Sequence, residues 1–432
     1  MKFNTPEKSL IIALTSALLL SACGGGGGEG DSDTSSGNSN TNSPEAVSPS
    51  KPVNTPNPSK PIDTPKPTTP PKPTDSFEPS EPKITLPTGQ MEVDIKDVEN
   101  SNHASAALVG SNLLSSKRQS CALGAVSHNN ELTKIATQHA QYIQHVFANS
   151  SPMMFDAHNE GRIEDIKEWT GKNNPFFTGI TFKDRLLKAG YSNLAHGVVE
   201  NISRVTYYSS AGKVLSPEYA AHSMTKSLLA APYHMRLLMT PNLSQTGSGM
   251  VAYTPYNKAS DKSQGYVFVN ASSASQNTEN HTVKGLFTYP CAGIADTNTA
   301  LYNEFPSPVA GTGRNLANDP IGQPIYVSMP SAKKIKVSNI KFRDTKRNIE
   351  VPVDLLDYNS DPHKNTAYEL PENEAFILPL TDRLQSCENG RKKGQNCGLY
   401  GNSEYQVSFD ILVDNKTSET KQFTFTTGEV NY

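Results

Sequence analysis

The chain has 432 residues, of which 35% are hydrophobic and 8% aromatic, with 29 glycines and 31 prolines. A formal charge of −3 argues against a generally basic, phosphate-seeking protein, so no nucleic-acid partner is expected. Five cysteines are too few for a disulfide-scaffold miniprotein, and the only long apolar run is N-terminal, so no second membrane span is expected.

Residues 1–22 read as an export signal. Lys2 and Lys8 precede an apolar stretch, Leu10 to Leu20, of about eleven residues, too short to span a bilayer. It ends Leu20-Ser21-Ala22-Cys23, which resembles a bacterial lipobox. That resemblance implies cleavage before Cys23, lipidation of its thiol (a palmitate-type anchor) and a membrane partner held through acyl chains. Gly24, not aspartate, follows, which implies an outer-membrane lipoprotein, periplasmic or surface-exposed. Residues 23–90 are Gly-rich, then Ser/Asn-rich, then proline-rich from Pro44 to Pro87. Such a segment cannot bury enough apolar surface to order itself. It is expected to be a semi-stiff disordered tether reaching roughly 100–200 Å.

Residues 91–295 form the first expected domain. Helices are predicted over Ala104–Gln119 and from about Asn130, where Leu132, Ile135, Ala136, His139, Tyr142, Ile143 and Val146 recur at helical spacing. A third runs from Lys183 to Ala189 and stops at Gly190. A fourth runs from Pro217 to Ala231, with Ser216 as its N-cap. Strands follow at Ser248–Tyr253 and Gly265–Ser272. Helices followed by strands predict an α+β layered domain.

Four segments carry the functional signal: Ala157-His158-Asn159-Glu160-Gly161, Asp184 through Tyr191, Val199-Glu200-Asn201-Ile202, and Ala231-Pro232-Tyr233-His234-Met235-Arg236. A Gly247-Ser248-Gly249 turn into a strand follows. Their order and spacing resemble the CAP superfamily (cysteine-rich secretory protein, antigen 5, pathogenesis-related 1; SCP-like) over about half of the mature chain. The resemblance implies an α-β-α sandwich with a cleft holding two histidines and one or two glutamates. His158 matches the first cleft histidine, Glu200 the glutamate and His234 the second histidine, with Glu160 a second carboxylate. The acidic residue that some members place on the helix before the second histidine has no match near Ala231.

Two imidazoles and two carboxylates converging would suit a borderline divalent metal such as Zn²⁺, with positions open to water. A nearby glutamate could then serve as general base. No His-Glu-x-x-His helix, nucleophile elbow or phosphate loop is present in the sequence, so no residue is assigned a catalytic role. Binding of a ligand, glycan or protein at the envelope is the first expectation, and a metal-dependent hydrolase the alternative. His128, His139, His145, His196 and His222 are read as surface or core-edge groups. Trp169, Phe176 and Phe177, in a loop spanning Ile163–Thr181, are read as packing on the domain or rimming a groove.

Residues 315–432 show short alternating runs at 324–329, 334–342, 350–355, 375–379, 405–413 and 421–427, separated by turn residues. They predict an all-β sandwich, and the ending Tyr-x-Val-x-Phe … Phe-Thr-Phe-Thr-Thr-Gly resembles bacterial Ig-like domains. Such a domain could act as a spacer, complete the first domain, or bind surfaces as an adhesin. Four cysteines other than Cys23 allow three pairings. Cys387 and Cys397 flank a polar loop and are expected to close it, leaving Cys121 to pair with Cys291. Arg391, Lys392 and Lys393 at that loop's tip are read as solvated.

Overall fold

The computed structural model describes residues 103–208, 216–258, 263–275, 283, 285–384, 387 and 397–430, and the backbone of 93–94 and 213–214. The leader, Cys23, the Gly/Ser/Pro-rich segment and Arg391–Lys393 lie outside these residues. In chain order the elements are β1 (Val93–Asp94), α1 (Ala104–Ser120), β2 (Ser127–His128), α2 (Asn130–Asn149), α3 (Phe182–Lys188), β3 (Val198–Tyr208) and β4 (Lys213–Val214). Next come α4 (Pro217–Leu228), α5 (Pro232–Leu238), β5 (Leu243–Tyr253), β6 (Ser263–Ala274) and β7 (Phe287–Tyr289). The rest are β8 (Ile325–Ser328), β9 (Ile335–Asp344), β10 (Ile349–Glu350), β11 (Val353–Asp357), β12 (Glu374–Pro379), β13 (Glu404–Val413) and β14 (Thr417–Thr426). The chain is thus a mixed helix and sheet protein, in keeping with the α+β expectation. No helix among the described residues is long and apolar enough to cross a membrane.

Local chemistry sets the helix starts. The Asn129 side chain accepts from Leu132 N–H at the head of α2. Ser216 does the same from Tyr219 N–H with Pro217 at the first helical position of α4. Thr181 and Asp184 form a reciprocal capping box on α3. Gly190 follows α3 at φ +78°, a left-handed conformation that a side chain would strain.

The first sheet runs β2-β5-β6-β3. Its two central strands are buried along most of their length because helices cover both faces. Gly247 and Gly249 face α2, and an added Cβ would come within 2.3 Å of Thr137 or closer to Thr133. Ser248, between them, points the other way and meets Ser111 of α1 at 2.8 Å. Gly249→Ala is therefore expected to push α2 off the sheet and to cost about 1–3 kcal/mol. A urea denaturation midpoint measured beside wild type checks it.

β3 and α5 are elements that the sequence pattern does not announce. β3 lacks clean alternation because adjacent residues Glu200 and Asn201 are both buried. α5 is only seven residues long, two turns that read as a continuation of the loop after Ala231.

The C-terminal half adds two four-stranded sheets, ordered β11-β12-β8-β7 and β10-β9-β13-β14. β7 lies inside the segment expected to belong to the first domain, yet it pairs with β8. One apolar cluster runs without a break from Ala106 and Met224 through Tyr289 and Ile321 to Phe376 and Phe425, and all the described residues from 103 on fall in one compact unit. Leu301 and Val309, in the segment between the two expected domains, belong to the same cluster. Lys226 and His222 both meet Asp296, at 2.6 and 3.0 Å, while Lys117 Nζ donates to the Ala295 and Asp296 carbonyls. Burial pushes the Lys117 ammonium down to about 8, with Asp296 opposing and Lys226 adding to the fall.

Both disulfides form as expected, Cys121–Cys291 and Cys387–Cys397.

Candidate functional site

His158, Glu160 and Glu200 meet around two residues from other elements, Arg185 of α3 and His139 of α2. All five are nearly or fully buried. The Arg185 guanidinium sits against both oxygens of Glu200, Nη2 lying 2.7 Å from Oε1 and 2.6 Å from Oε2. Its Nη1 donates to the His158 carbonyl at 3.0 Å, and its Nε lies 3.8 Å from Glu160 Oε1. One cation therefore serves two carboxylates.

Glu160 is fully engaged. Oε2 accepts from the backbone N–H of Thr178 at 2.6 Å and of Gly179 at 3.2 Å, while Oε1 meets His139 Nδ1 at 2.8 Å. His139 Nε2–H donates to the Ala157 carbonyl at 2.7 Å. The reading of His139 as a surface or core-edge group is corrected here: it has no exposed surface. Its place on the inward stripe of α2 is visible in the sequence, but its partner at position 160 is fixed only by the tertiary fold.

Burial alone would push Glu200 up, but Arg185, His139 and His158 outweigh it and hold the carboxyl well below its ordinary range. Glu200 is thus an ionised acceptor, so His158 Nδ1, 2.8 Å from Glu200 Oε2, carries the proton in that bond. Burial lowers His158, with Glu200 opposing and the nearby imidazoles of His234 and His139 adding to the fall. His158 is accordingly neutral near pH 7, with its Nε2 lone pair free. That Nε2 is buried and has no hydrogen-bond partner.

His234 approaches from α5 and repeats the arrangement with a different carboxylate. Glu304, in the junction between the halves, accepts from the backbone N–H groups of Tyr233 and His234 at 2.8 and 3.2 Å, and the same Oε1 lies 3.0 Å from His234 Nδ1. His234 Nε2 is likewise buried without a partner. Burial raises Glu304, with His234 and the two backbone donors working against it. Sequence reading missed Glu304 because it lies outside every recognised segment.

The four expected metal ligands therefore divide into two kinds. His158 and His234 each keep one imidazole nitrogen free. Glu160 and Glu200 spend their oxygens on Arg185, His139, His158 and backbone amides. No group of three or more His, Cys, Asp or Glu among the described residues is arranged to hold a metal ion.

Trp169 and Phe176 pack edge-on against His145 of α2, at 5.6 and 6.0 Å between ring centroids, as expected of a loop folded onto its domain. No protein-family model matches the chain, and no curated protein matches it.

Proposed function

We propose that the chain is a lipid-tethered envelope protein of the CAP kind that binds its ligand through the imidazoles of His158 and His234. The observation that carries this reading is the matched state of the two rings. Each has Nδ1 tied to a buried carboxylate and Nε2 buried without a partner. A carboxylate on one imidazole nitrogen fixes the tautomer and raises the basicity of the other, the arrangement that serves a metal-ligating histidine. His234 is among the neighbouring groups that lower His158.

The residues present suit a borderline divalent cation such as Zn²⁺ bound at two imidazole nitrogens, with remaining positions filled by solvent or by the ligand itself. When bound, such an ion would supply a Lewis-acid centre for an oxygen- or nitrogen-bearing ligand. Glu200 and Glu304 orient the rings, and Arg185 keeps Glu200 ionised for that task. The lipid tether rests on Leu20-Ser21-Ala22-Cys23. The C-terminal half is assigned here to an Ig-like sandwich, supported by its two four-stranded sheets.

Calorimetric titration with Zn²⁺ tests the reading. Wild type is expected to give saturable heat, and His158→Ala/His234→Ala to bind at least about tenfold more weakly. Absence of saturable heat with wild type, or equal binding by the double variant, would remove it.

A further inference from the structure

The C-terminal half reaches the candidate site through one short helix. α5 presents Tyr233, His234 and Arg236, and each is bonded to a carboxylate from the second half or its junction. Glu304 Oε1 lies 3.0 Å from His234 Nδ1. Asp361 Oδ1 accepts from the Tyr233 hydroxyl at 2.9 Å. Glu374 Oε2 accepts from Arg236 Nε at 2.7 Å.

These acceptors are themselves anchored. Asp361 Oδ2 accepts from Leu370 N–H at 2.7 Å, and Glu374 opens β12. The rings of His363 and Tyr368 stand 5.5 and 6.4 Å from that of Tyr233. Ala231 gives α5 no side-chain cap, so Glu304 supplies from a distance the acceptor that a capping residue normally provides.

We propose that the C-terminal half is a positioning element of the site: Glu304 sets the tautomer and orientation of His234, and Asp361 and Glu374 hold α5 in place for it. The inference rests on the binding role given to His158 and His234 above. Glu304 Oε1 already accepts from two backbone N–H groups, so in the bond to His234 it is again the acceptor and Nδ1 carries the proton. The Nε2 lone pair is thereby left for a ligand. A spacer would have no reason to place three carboxylates on three of the seven residues of α5, one of them on the ring of its histidine.

The test uses the folded chain labelled with ¹⁵N-histidine, with the ring nitrogens followed by NMR and Zn²⁺ affinity measured in parallel. His234 in wild type is expected as the Nδ1–H tautomer. Glu304→Ala is expected to move it toward Nε2–H and to weaken Zn²⁺ binding at least about tenfold. Glu304→Gln, whose amide oxygen still accepts from Nδ1–H, is expected to recover the tautomer and part of the affinity. An Nε2–H tautomer in wild type, or a Glu304→Ala protein matching wild type in both readouts, overturns the proposal. If wild type takes up no Zn²⁺, the binding role alone fails, and the His234 tautomer still decides whether Glu304 positions the ring. If Glu304→Ala does not fold, the wild-type tautomer and Tyr233→Phe decide. That variant removes the hydroxyl that donates to Asp361 and is expected to shift the His234 ring signals. Unchanged signals would overturn the part played by Asp361.

Discussion

Arg185→Met is expected to destabilise the protein by about 3–5 kcal/mol, the range for removing one partner of a buried ion pair. The guanidinium is fully buried and contacts both oxygens of Glu200, with Glu160 3.8 Å away. Methionine fills similar volume but leaves two buried carboxylates without their cation. The pH dependence identifies the cause. Glu200 is held below its ordinary range in the folded protein, so its contribution is present above the unfolded carboxylate value of about 4.3 and is lost as pH falls below it. The gap between Arg185→Met and wild type is therefore expected to be widest near pH 7 and to narrow below about pH 4. Urea denaturation at the two pH values measures it. Equal deficits at both would show that the loss comes from packing and not from the ion pair.

Cys121→Ser/Cys291→Ser is expected to cost on the order of 5 kcal/mol in the chain-entropy account. The bridge joins residues 170 apart in sequence. Cys387→Ser/Cys397→Ser opens a loop with a separation of 10 and should cost about 3 kcal/mol on the same account. Thermal melts of the two double variants against oxidised wild type give the comparison. A larger loss at the shorter bridge would show that loop entropy does not govern the effect. The long bridge ties the end of α1 to the segment just after β7, where the two halves of the chain join.

Much of the first half was legible in the sequence. The stripe on α2, Ser216 before Pro217 and Gly190 after α3 each act within one or two turns of their own helix, so local pattern suffices to find them. The histidines at 158 and 234 and the glutamates at 160 and 200 could be singled out by motif. Their division of labour could not, since it depends on which oxygen Arg185 meets, and the segment Asp184 through Tyr191, though singled out, does not reveal that partner. Glu304 and His139 escaped for a related reason. A buried carboxylate in a loop and a histidine on a core stripe look ordinary until a partner far along the chain is known. β7 was missed because three residues carry too little periodicity to register.

The strand Phe287–Tyr289 pairs with Ile325–Ser328, and the apolar interior passes through that pairing without interruption. A ribosome releases the N-terminal layers well before the strands that finish their interior. Until residue 425 has emerged, Tyr289 and the side chains around it have only part of their final neighbours. Cleavage between the halves would leave each fragment with a bare greasy face, so neither half is expected to persist without the other.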